Sequence, residues 1–364
     1  MHNINGRRVA GTLAGTALFA LGGTGVAQMR GTNAPMGQPG IPASGVKPVA
    51  SNQAVIDALT AANMRPYHVL TPPEARREPS FADGVKMVLR QQGKPTTPPP
   101  GVTASDIQVR GAAGQLHAKL YRPASVRPNA PMIVYYHGGG WVVASSEVYD
   151  GGARALARDT GAIVVSVDYR LAPEAKFPAQ HDDALASYRW AIANARSLGA
   201  DPAKIALAGE SAGGNLAIAT AMAARDGGVQ APVAILAVYP VAGTDLNTPS
   251  YRENAQAMPL GRATVGWFVH HLARSPADAM DPRLNLVMAN LRGLPPVTIV
   301  AAQIDPLRSE GEMLEAKLRQ AGVRVNRREY PRVTHEFFGA DPVIAEAKQA
   351  QAYAGQQLRV AFGR

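Results

Sequence analysis

The sequence predicts an α/β fold, in which a mostly parallel central sheet carries helices on both faces. From about residue 104 onward, short apolar runs alternate with helix-length segments, as they do in βαβ units. Most of these runs are continuously apolar, which is typical of strands that are buried on both faces. Such sheets place their chemistry at the carboxyl ends of the strands, so we expect the functional residues directly after the runs.

The individual elements follow from this alternation. The runs predicted as strands are "DIQVRG", "LHAKLYRP", "MIVYY" (132–136), "AIVVSV" (162–167), "IALAG" (205–209), "VAILAVY" (233–239), "VTIVAA" (297–302) and "VNRREY" (325–330). The segments predicted as helices after the first two strands are 147–159, 181–197, 212–225, 309–321 and 343–361. Two further helices are predicted upstream of the first strand, at 52–64 and 82–92.

The N-terminal 50 residues differ from the rest of the chain. Arg7 and Arg8 precede an uncharged stretch of small and apolar residues, and "GVAQM" offers a cleavage site after Ala27. This layout predicts residues 1–27 as a secretory signal peptide and a protein exported to the periplasm or secreted. An uncleaved membrane anchor is the alternative, but the stretch is rich in Gly, Ala and Thr and would make a poor permanent membrane span. We therefore expect no stable membrane insertion after the signal peptide is cleaved. Residues 28–50 are rich in Gly and Pro and are predicted to be flexible.

Composition excludes several classes of site. The 364 residues include no cysteine, so disulfides, thiolate catalysis and zinc–thiolate sites are absent. The net charge is +10, and removing the two arginines of residues 1–27 leaves +8. Lys and Arg are scattered without a basic, aromatic-rich stripe, so we expect no nucleic-acid partner, although an anionic envelope polymer stays open as a ligand. A homodimer also stays open.

A serine nucleophile is predicted in "IALAGESAGGNLA", which has the pattern of a strand, a sharp turn and a helix. Residues 209–213 fit G-x-S-x-G, with Ser211 at the turn. Glycines on either side remove the clashes that such a turn would cause, and the helix N-terminus favours developing negative charge. A phosphate-binding loop is the alternative, but it lacks the lysine that would follow the glycines.

A base and an acid are needed to activate this serine. With a serine on such a turn, the expected chain order is Ser, then Asp or Glu, then His. His335 follows the last predicted strand, whereas His270 and His271 lie in a helix-like run. Asp305 directly follows "VTIVAAQI" and is predicted to orient the base. Of the other acidic residues nearby, Asp341 is predicted to cap the last helix, and "SEGE" (309–312) to form a capping box.

The glycines of "HGGGW" are predicted to form an oxyanion hole. Acyl transfer builds negative charge on a carbonyl oxygen, which preorganised backbone N–H groups stabilise. Gly138 and Gly139 would supply such groups after the third strand, together with the N–H of Ala212. His137 precedes them and is predicted to brace the loop by bonding nearby backbone rather than to act as a base. "DYRLAPE" (168–174) is predicted as a buried polar brace under the same loop.

These motifs together resemble the bacterial hormone-sensitive-lipase-like esterases, a family of α/β hydrolases. The resemblance covers roughly residue 70 to the C-terminus and rests on "HGGGW", "DYRLAPE", "FPA", "GESAGG", "YP", "DPLRSEG" and "HEFF". The family often has Asp where this chain has Glu210 and Ser309. The resemblance implies a catalytic domain over 51–364, with a helical cap formed by about 51–100 and 245–290.

The resulting hypothesis is a serine carboxylesterase. Ser211, His335 and Asp305 would cleave small-molecule esters, with short-to-medium acyl chains, through an acyl-enzyme intermediate and without metal or organic cofactor. An amidase or peptidase with the same triad is one alternative. The others are a non-catalytic ligand-binding relative and a binder of envelope polymers.

Overall fold

The computed structural model describes residues 45–364, so the predicted signal peptide and most of the predicted flexible N-terminus lie outside the described residues. Within the described part, eight strands form one sheet in the order β1-β2-β4-β3-β5-β6-β7-β8. The strands are β1 (Val102–Arg110), β2 (Gln115–Pro123), β3 (Ala130–Tyr136), β4 (Ile163–Val167), β5 (Ala200–Glu210), β6 (Ile235–Val238), β7 (Val297–Ile304) and β8 (Val325–Thr334).

The sheet is mostly parallel, as the sequence predicts. β1 and β2 form an antiparallel hairpin at one edge, and β2 also pairs antiparallel with β4. Every other pair of neighbours is parallel. The carboxyl ends of β5, β7 and β8 therefore meet at one edge of the sheet, where we expect the functional residues.

The seven helices with predicted ranges lie close to their predicted positions, and the described residues contain three more. The helices are α1 (Ala50–Ala61), α2 (Pro72–Ala75), α3 (Phe81–Gln91), α4 (Asp150–Thr160), α5 (Ala179–Asn194), α6 (Ala212–Asp226), α7 (Pro249–Glu253), α8 (Arg262–Leu272), α9 (Arg308–Gln320) and α10 (Ala345–Ala361). The three additional helices are α2, α7 and α8. None of the helices among residues 45–364 combines the length and the apolar character needed to cross a membrane.

Both faces of the central strands are buried, which explains their uninterrupted apolar runs, whereas the edge strand β1 is largely exposed. Along β3, Ile133 and Tyr135 belong to one hydrophobic cluster, whereas Met132, Val134 and Tyr136 belong to the other. Helices α4 and α10 cover the first face and α5, α6 and α9 cover the second. A strand between two helical layers has no polar face, so the alternation typical of half-buried strands is missing.

Helix α1 is attached to the carboxyl end of β8. The buried side chain of Asn52 donates to Thr334 Oγ1 at 3.0 Å, and the Thr334 N–H donates to Asn52 Oδ1 at 2.8 Å. Helix α3 packs on α1 so closely that a β-carbon on Gly84 would lie 2.9 Å from side-chain carbons of Val55 and Leu59. The N-terminal helices are therefore held beside the sheet edge at which β8 ends.

Two helix-start predictions are wrong. Helix α10 begins at Ala345 with Ile344 as its N-cap, and the Asp341 carboxylate instead accepts hydrogen bonds from Arg158 and Gln351. Helix α9 begins at Arg308, so residues 309–312 lie inside it and form no capping box. The hydroxyl of Ser309 instead accepts from the distant Ser250 N–H at 3.2 Å.

Candidate active site

Ser211 occupies the turn between β5 and α6. Its backbone has φ 56° and ψ −118°, a region that residues with a β-carbon rarely adopt. The turn is held by the Ser211 N–H, which donates to Val238 O at 2.9 Å, and by the Ser211 carbonyl, which accepts from Val241 N–H at 3.2 Å. Backbone strain of this kind persists only where the surroundings enforce it, and it is concentrated at functional sites.

The glycines on either side of Ser211 permit very close backbone packing. A β-carbon on Gly209 would lie 2.8 Å from the carbonyl oxygen of Tyr136. A β-carbon on Gly213 would lie 2.5 Å from the carbonyl oxygen of His137 and closer still to that of Tyr136. The turn is thus pressed against the end of β3, and the predicted need for glycine at both positions is confirmed.

Asp305 and His335 meet at the carboxyl ends of β7 and β8. Asp305 Oδ2 lies 2.7 Å from His335 Nδ1, and both side chains are buried. The N–H of Leu307 donates to the other carboxylate oxygen of Asp305 at 2.8 Å, which fixes its orientation. Burial by itself would lower the pKa of His335, but the charge and hydrogen bond of Asp305, together with nearby Glu336 and Glu210, outweigh it, and the pKa is raised.

Ser211 and His335 line the same cavity, so the sheet brings all three predicted residues to one place. Across the described part of the chain, no hydrogen bond joins the Ser211 hydroxyl to the His335 ring. Catalytic hydrogen bonds are often long in a ligand-free site and shorten only when substrate is bound.

The glycine loop after β3 turns its backbone toward the cavity. Gly139 has φ +92°, and its carbonyl accepts from the N–H groups of Val142 and Val143 at 3.0 Å. Within residues 45–364, no protein acceptor is bonded to the amide N–H of Gly138 or Gly139. Gly139 belongs to the cavity wall together with Gly140, whereas Gly138 does not.

Ala212 also lies behind the surface of the cavity rather than on its wall. As the first residue of α6, it has an amide N–H without an acceptor inside the helix. This N–H group is therefore available to a ligand at the helix N-terminus, where the helix dipole is positive.

His137 braces this loop, as predicted. Its Nδ1–H donates to the carbonyl of Gly138 at 2.8 Å, and its ring stacks on Tyr169 with the centroids 4.3 Å apart. The Tyr169 hydroxyl donates to the His137 carbonyl at 2.9 Å. Burial lowers the pKa of His137, against the opposing influence of Asp168. A neutral ring with one nitrogen bonded to backbone is suited to holding the loop.

The "DYRLAPE" segment supports the same loop, which confirms its predicted role as a brace. Asp168 accepts from the backbone N–H of Ser146 at 2.5 Å and from its hydroxyl at 3.0 Å. The backbone N–H of Ala172 donates to the Trp141 carbonyl at 2.8 Å. Both ends of the glycine loop are therefore tied to the chain that follows β4.

The cavity has a volume of about 90 Å³ and is walled by three parts of the chain. Three segments meet around Ser211 and His335. They are the N-terminal segment, the glycine loop with the adjoining stretch up to Tyr149, and the segment that runs from Pro259 into α8. Apolar residues from the first and third of these are Met64, Tyr67, Phe81, Pro259, Leu260 and Phe268. No cluster of three or more acidic or histidine side chains able to hold a metal ion occurs in the described range 45–364.

Comparisons with known proteins agree with this fold. A family model described as alpha/beta hydrolase fold matches residues 133–339, which is more than half of the chain. The carboxylesterase NlhH of Mycobacterium tuberculosis is 41% identical over 277 residues, covering 74% of this chain and 87% of that relative.

The chain belongs to the hormone-sensitive-lipase-like family of α/β hydrolases.

Two further proteins are also similar to this chain. The ethyl acetate hydrolase of Pseudomonas putida is 33% identical to this hydrolase over 303 residues, or 82% of this chain and 92% of the relative. The solved structure of a hyperthermophilic esterase from the archaeon Pyrobaculum calidifontis superposes with a TM-score of 0.77 at 34% identity. That comparison covers 85% of this chain and 96% of the esterase chain.

Two buried carboxylates of this α/β hydrolase escape prediction from the sequence. Glu210 accepts hydrogen bonds from the hydroxyls of Tyr135 and Tyr239, and burial raises its pKa to about 7 against the effect of those bonds. Glu210 directly precedes the serine in the sequence, and the second carboxylate, Glu310, lies in "DPLRSEG". The hydrogen-bond partners of both are far away in the chain, so the sequence does not indicate them.

Glu310 is the second of these carboxylates. One of its oxygens accepts from the N–H groups of Ala242 and Gly243 at 2.6 Å each, and the other accepts from the Tyr251 hydroxyl at 2.7 Å. Burial raises the pKa of Glu310 to about 7, with these hydrogen bonds acting in the opposite direction. The side chain thus fixes the loop after β6, which runs past the Ser211 turn.

The close packing of the serine turn predicts that substituting two helical glycines by alanine will change the free energy of unfolding by very different amounts. Gly213→Ala should lower the free energy of unfolding by roughly 1–3 kcal/mol or more, since the new methyl group meets rigid backbone. Gly311→Ala in α9 has no atom within 4 Å of the new β-carbon and should be neutral or stabilising by up to about 1 kcal/mol. Urea unfolding of both variants measures the difference, and equal effects would contradict the packing argument.

Proposed function

We propose that this α/β hydrolase is a carboxylesterase that cleaves small-molecule esters through Ser211, His335 and Asp305. The observation that carries the proposal is the buried 2.7 Å hydrogen bond between Asp305 and His335, at the wall of the cavity that also contains Ser211. The proposal is supported by relatives named carboxylesterase and ethyl acetate hydrolase.

Acylation begins when Ser211 Oγ attacks the carbonyl carbon of the ester. His335 Nε2 takes the serine proton, and Asp305 holds the Nδ1–H and stabilises the imidazolium that forms. The tetrahedral intermediate then expels the alcohol, which receives the same proton from Nε2. The products of this half-reaction are the free alcohol and an ester of Ser211.

The negative charge that develops on the carbonyl oxygen needs hydrogen-bond donors. We assign this role to the N–H groups of Gly138, Gly139 and Ala212, which have no bonded acceptor among residues 45–364. Because these groups are fixed by the braced loop and the helix N-terminus, they need little reorganisation when charge develops.

Deacylation repeats the sequence with water in place of the serine. Water transfers a proton to His335 Nε2 and attacks the acyl carbon, and collapse of the second intermediate breaks the bond to Ser211 Oγ. His335 returns the proton to that oxygen, so the enzyme is restored and the carboxylic acid is released.

The substrates that we propose are esters with short-to-medium acyl chains. The cavity is small and largely apolar, and a mostly apolar pocket with a few polar groups suits a compact uncharged ester. We propose residues of about 51–100 and 245–290 as the cap that limits its depth. In support, the Trp267 indole N–H of α8 donates to Leu70 O at 3.0 Å, so the two segments are in contact beside the cavity.

We also propose that the protein is exported, to the periplasm or beyond. The support is the sequence of residues 1–27, with two arginines, an uncharged stretch of small residues and a cleavage site after Ala27.

Removal of the nucleophile tests the proposal directly. Ser211→Ala should reduce hydrolysis of a series of nitrophenyl esters by at least about 10³-fold, because the variant lacks the hydroxyl that we propose forms the acyl-enzyme. The wild type should prefer the short-to-medium members of the series. Full activity in the variant would contradict the mechanism, and faster cleavage of peptide anilides than of esters would favour an amidase.

The two histidines at this site should respond differently to truncation. His335→Ala removes the proposed base and should nearly abolish turnover, by at least about 10³-fold. His137→Ala loosens the glycine loop and should lower kcat only in part, by about tenfold. Steady-state kinetics on one short-chain ester compares them, and equal losses would mean that His137 has more than a bracing role.

A further inference from the structure

Glu336 has an unusual backbone conformation beside the proposed base. It directly follows His335 and precedes a short 3-10 turn, Phe337–Gly339, with φ 72° and ψ 2°. This is the left-handed region, which glycine adopts readily and residues with a β-carbon adopt at a cost. A strained residue at an active site suggests that its side chain has a use there.

The carboxylate of Glu336 lies on the cavity wall next to the reacting nitrogen. Its Oε1 accepts from the Tyr149 hydroxyl at 2.5 Å and lies 4.0 Å from His335 Nε2. Asp305 is hydrogen-bonded to the other ring nitrogen, Nδ1. The imidazole is therefore flanked by two carboxylates, one near each ring nitrogen.

In the part of the chain that the structure describes, no cationic side chain other than the base itself neutralises this carboxylate. Within residues 45–364, the only basic group at ion-pair distance from Glu336 is His335. Glu78 also lines the cavity, but its carboxylate is paired with Arg65 at 2.8 Å. Of the two acidic side chains on the wall, Glu336 alone directs an uncompensated charge at the imidazole.

We propose that Glu336 is a positioning residue for the base: its carboxylate stabilises the imidazolium that forms when His335 takes the proton of Ser211. This inference rests on the proposed esterase function. Glu336 makes no covalent bond and accepts no proton in the reaction. At 4.0 Å it is not hydrogen-bonded to Nε2, so that N–H remains free to protonate the leaving alcohol.

The other side chains whose charge or hydrogen bonds act on His335 or Glu336 are acidic or neutral. The titratable side chains that face His335 or Glu336 from the neighbouring elements are Tyr67, Tyr135, Tyr149, Glu210, Tyr239 and Asp305. Burial opposes a charged imidazole, but Asp305, then Glu336 and Glu210, outweigh it and raise the pKa of His335. Burial also raises the pKa of Glu336, so its effect requires a pH at which it is ionised.

Glu336→Gln tests the proposal because it removes the charge and keeps the size and a hydrogen-bond acceptor for Tyr149. With the negative charge gone, the imidazolium is less stable, and the pKa of His335 should fall by about one unit. The acid limb of kcat/KM, which requires neutral His335, should therefore move to lower pH. At its optimum, kcat should fall by about three- to tenfold, with little change in KM.

The titration of His335 can be followed without turnover, by NMR of ¹³C-histidine-labelled protein. The NMR titration does not depend on turnover, so it tests the role of Glu336 separately from the esterase proposal. The result for Ser211→Ala does not affect it. Glu336→Asp keeps the charge and should retain most of the raised pKa.

The matched control is Glu78→Gln, which removes a paired carboxylate from the same cavity and should leave the His335 titration unchanged. Loss of activity in Glu336→Gln with a wild-type His335 titration would overturn the proposal, as would an equal shift in Glu78→Gln.

Discussion

The site depends on the contact between the Ser211 turn and the end of β3. The carbonyl oxygens of Tyr136 and His137 approach the start of α6 so closely that only glycine fits at positions 209 and 213. This contact places the helix N-terminus beside the glycine loop and holds Ser211 at φ 56°. A strained residue and a set of unbonded N–H groups can persist together because the central strands around them are buried and closely packed on both faces.

Polar groups, most of them buried, then fix the loops that follow the strands. His137, Tyr169 and Asp168 hold the glycine loop, and Glu310 holds the loop after β6 through two N–H groups. Each of these bonds satisfies a group that would be costly to bury alone, so the loops gain the fixed geometry of the core. Preorganised hydrogen-bond donors and a fixed base stabilise the charge that develops in a transition state, because they need little reorganisation.

Much of this arrangement can be predicted from the sequence, because it is local. Ser211 and Asp305 closely follow apolar strands, His335 follows the last strand, and parallel strands bring those ends to one edge of the sheet. The contacts of Glu310 and Glu336 could not be predicted, since their partners lie 68 and 187 residues away in the chain. The cap predicted for Asp341 failed for the same reason: Arg158 and Gln351 bind its carboxylate instead.

The central claim is that Ser211 is the nucleophile of a site organised by this turn. A fluorophosphonate ester with a short alkyl chain tests it, because only an activated serine displaces the fluoride and keeps the phosphonyl group. We predict one label per chain, located by peptide mass spectrometry on Ser211, with activity lost in proportion to labelling. Complete inactivation with the label on another residue, or full activity in protein labelled at Ser211, would contradict the account.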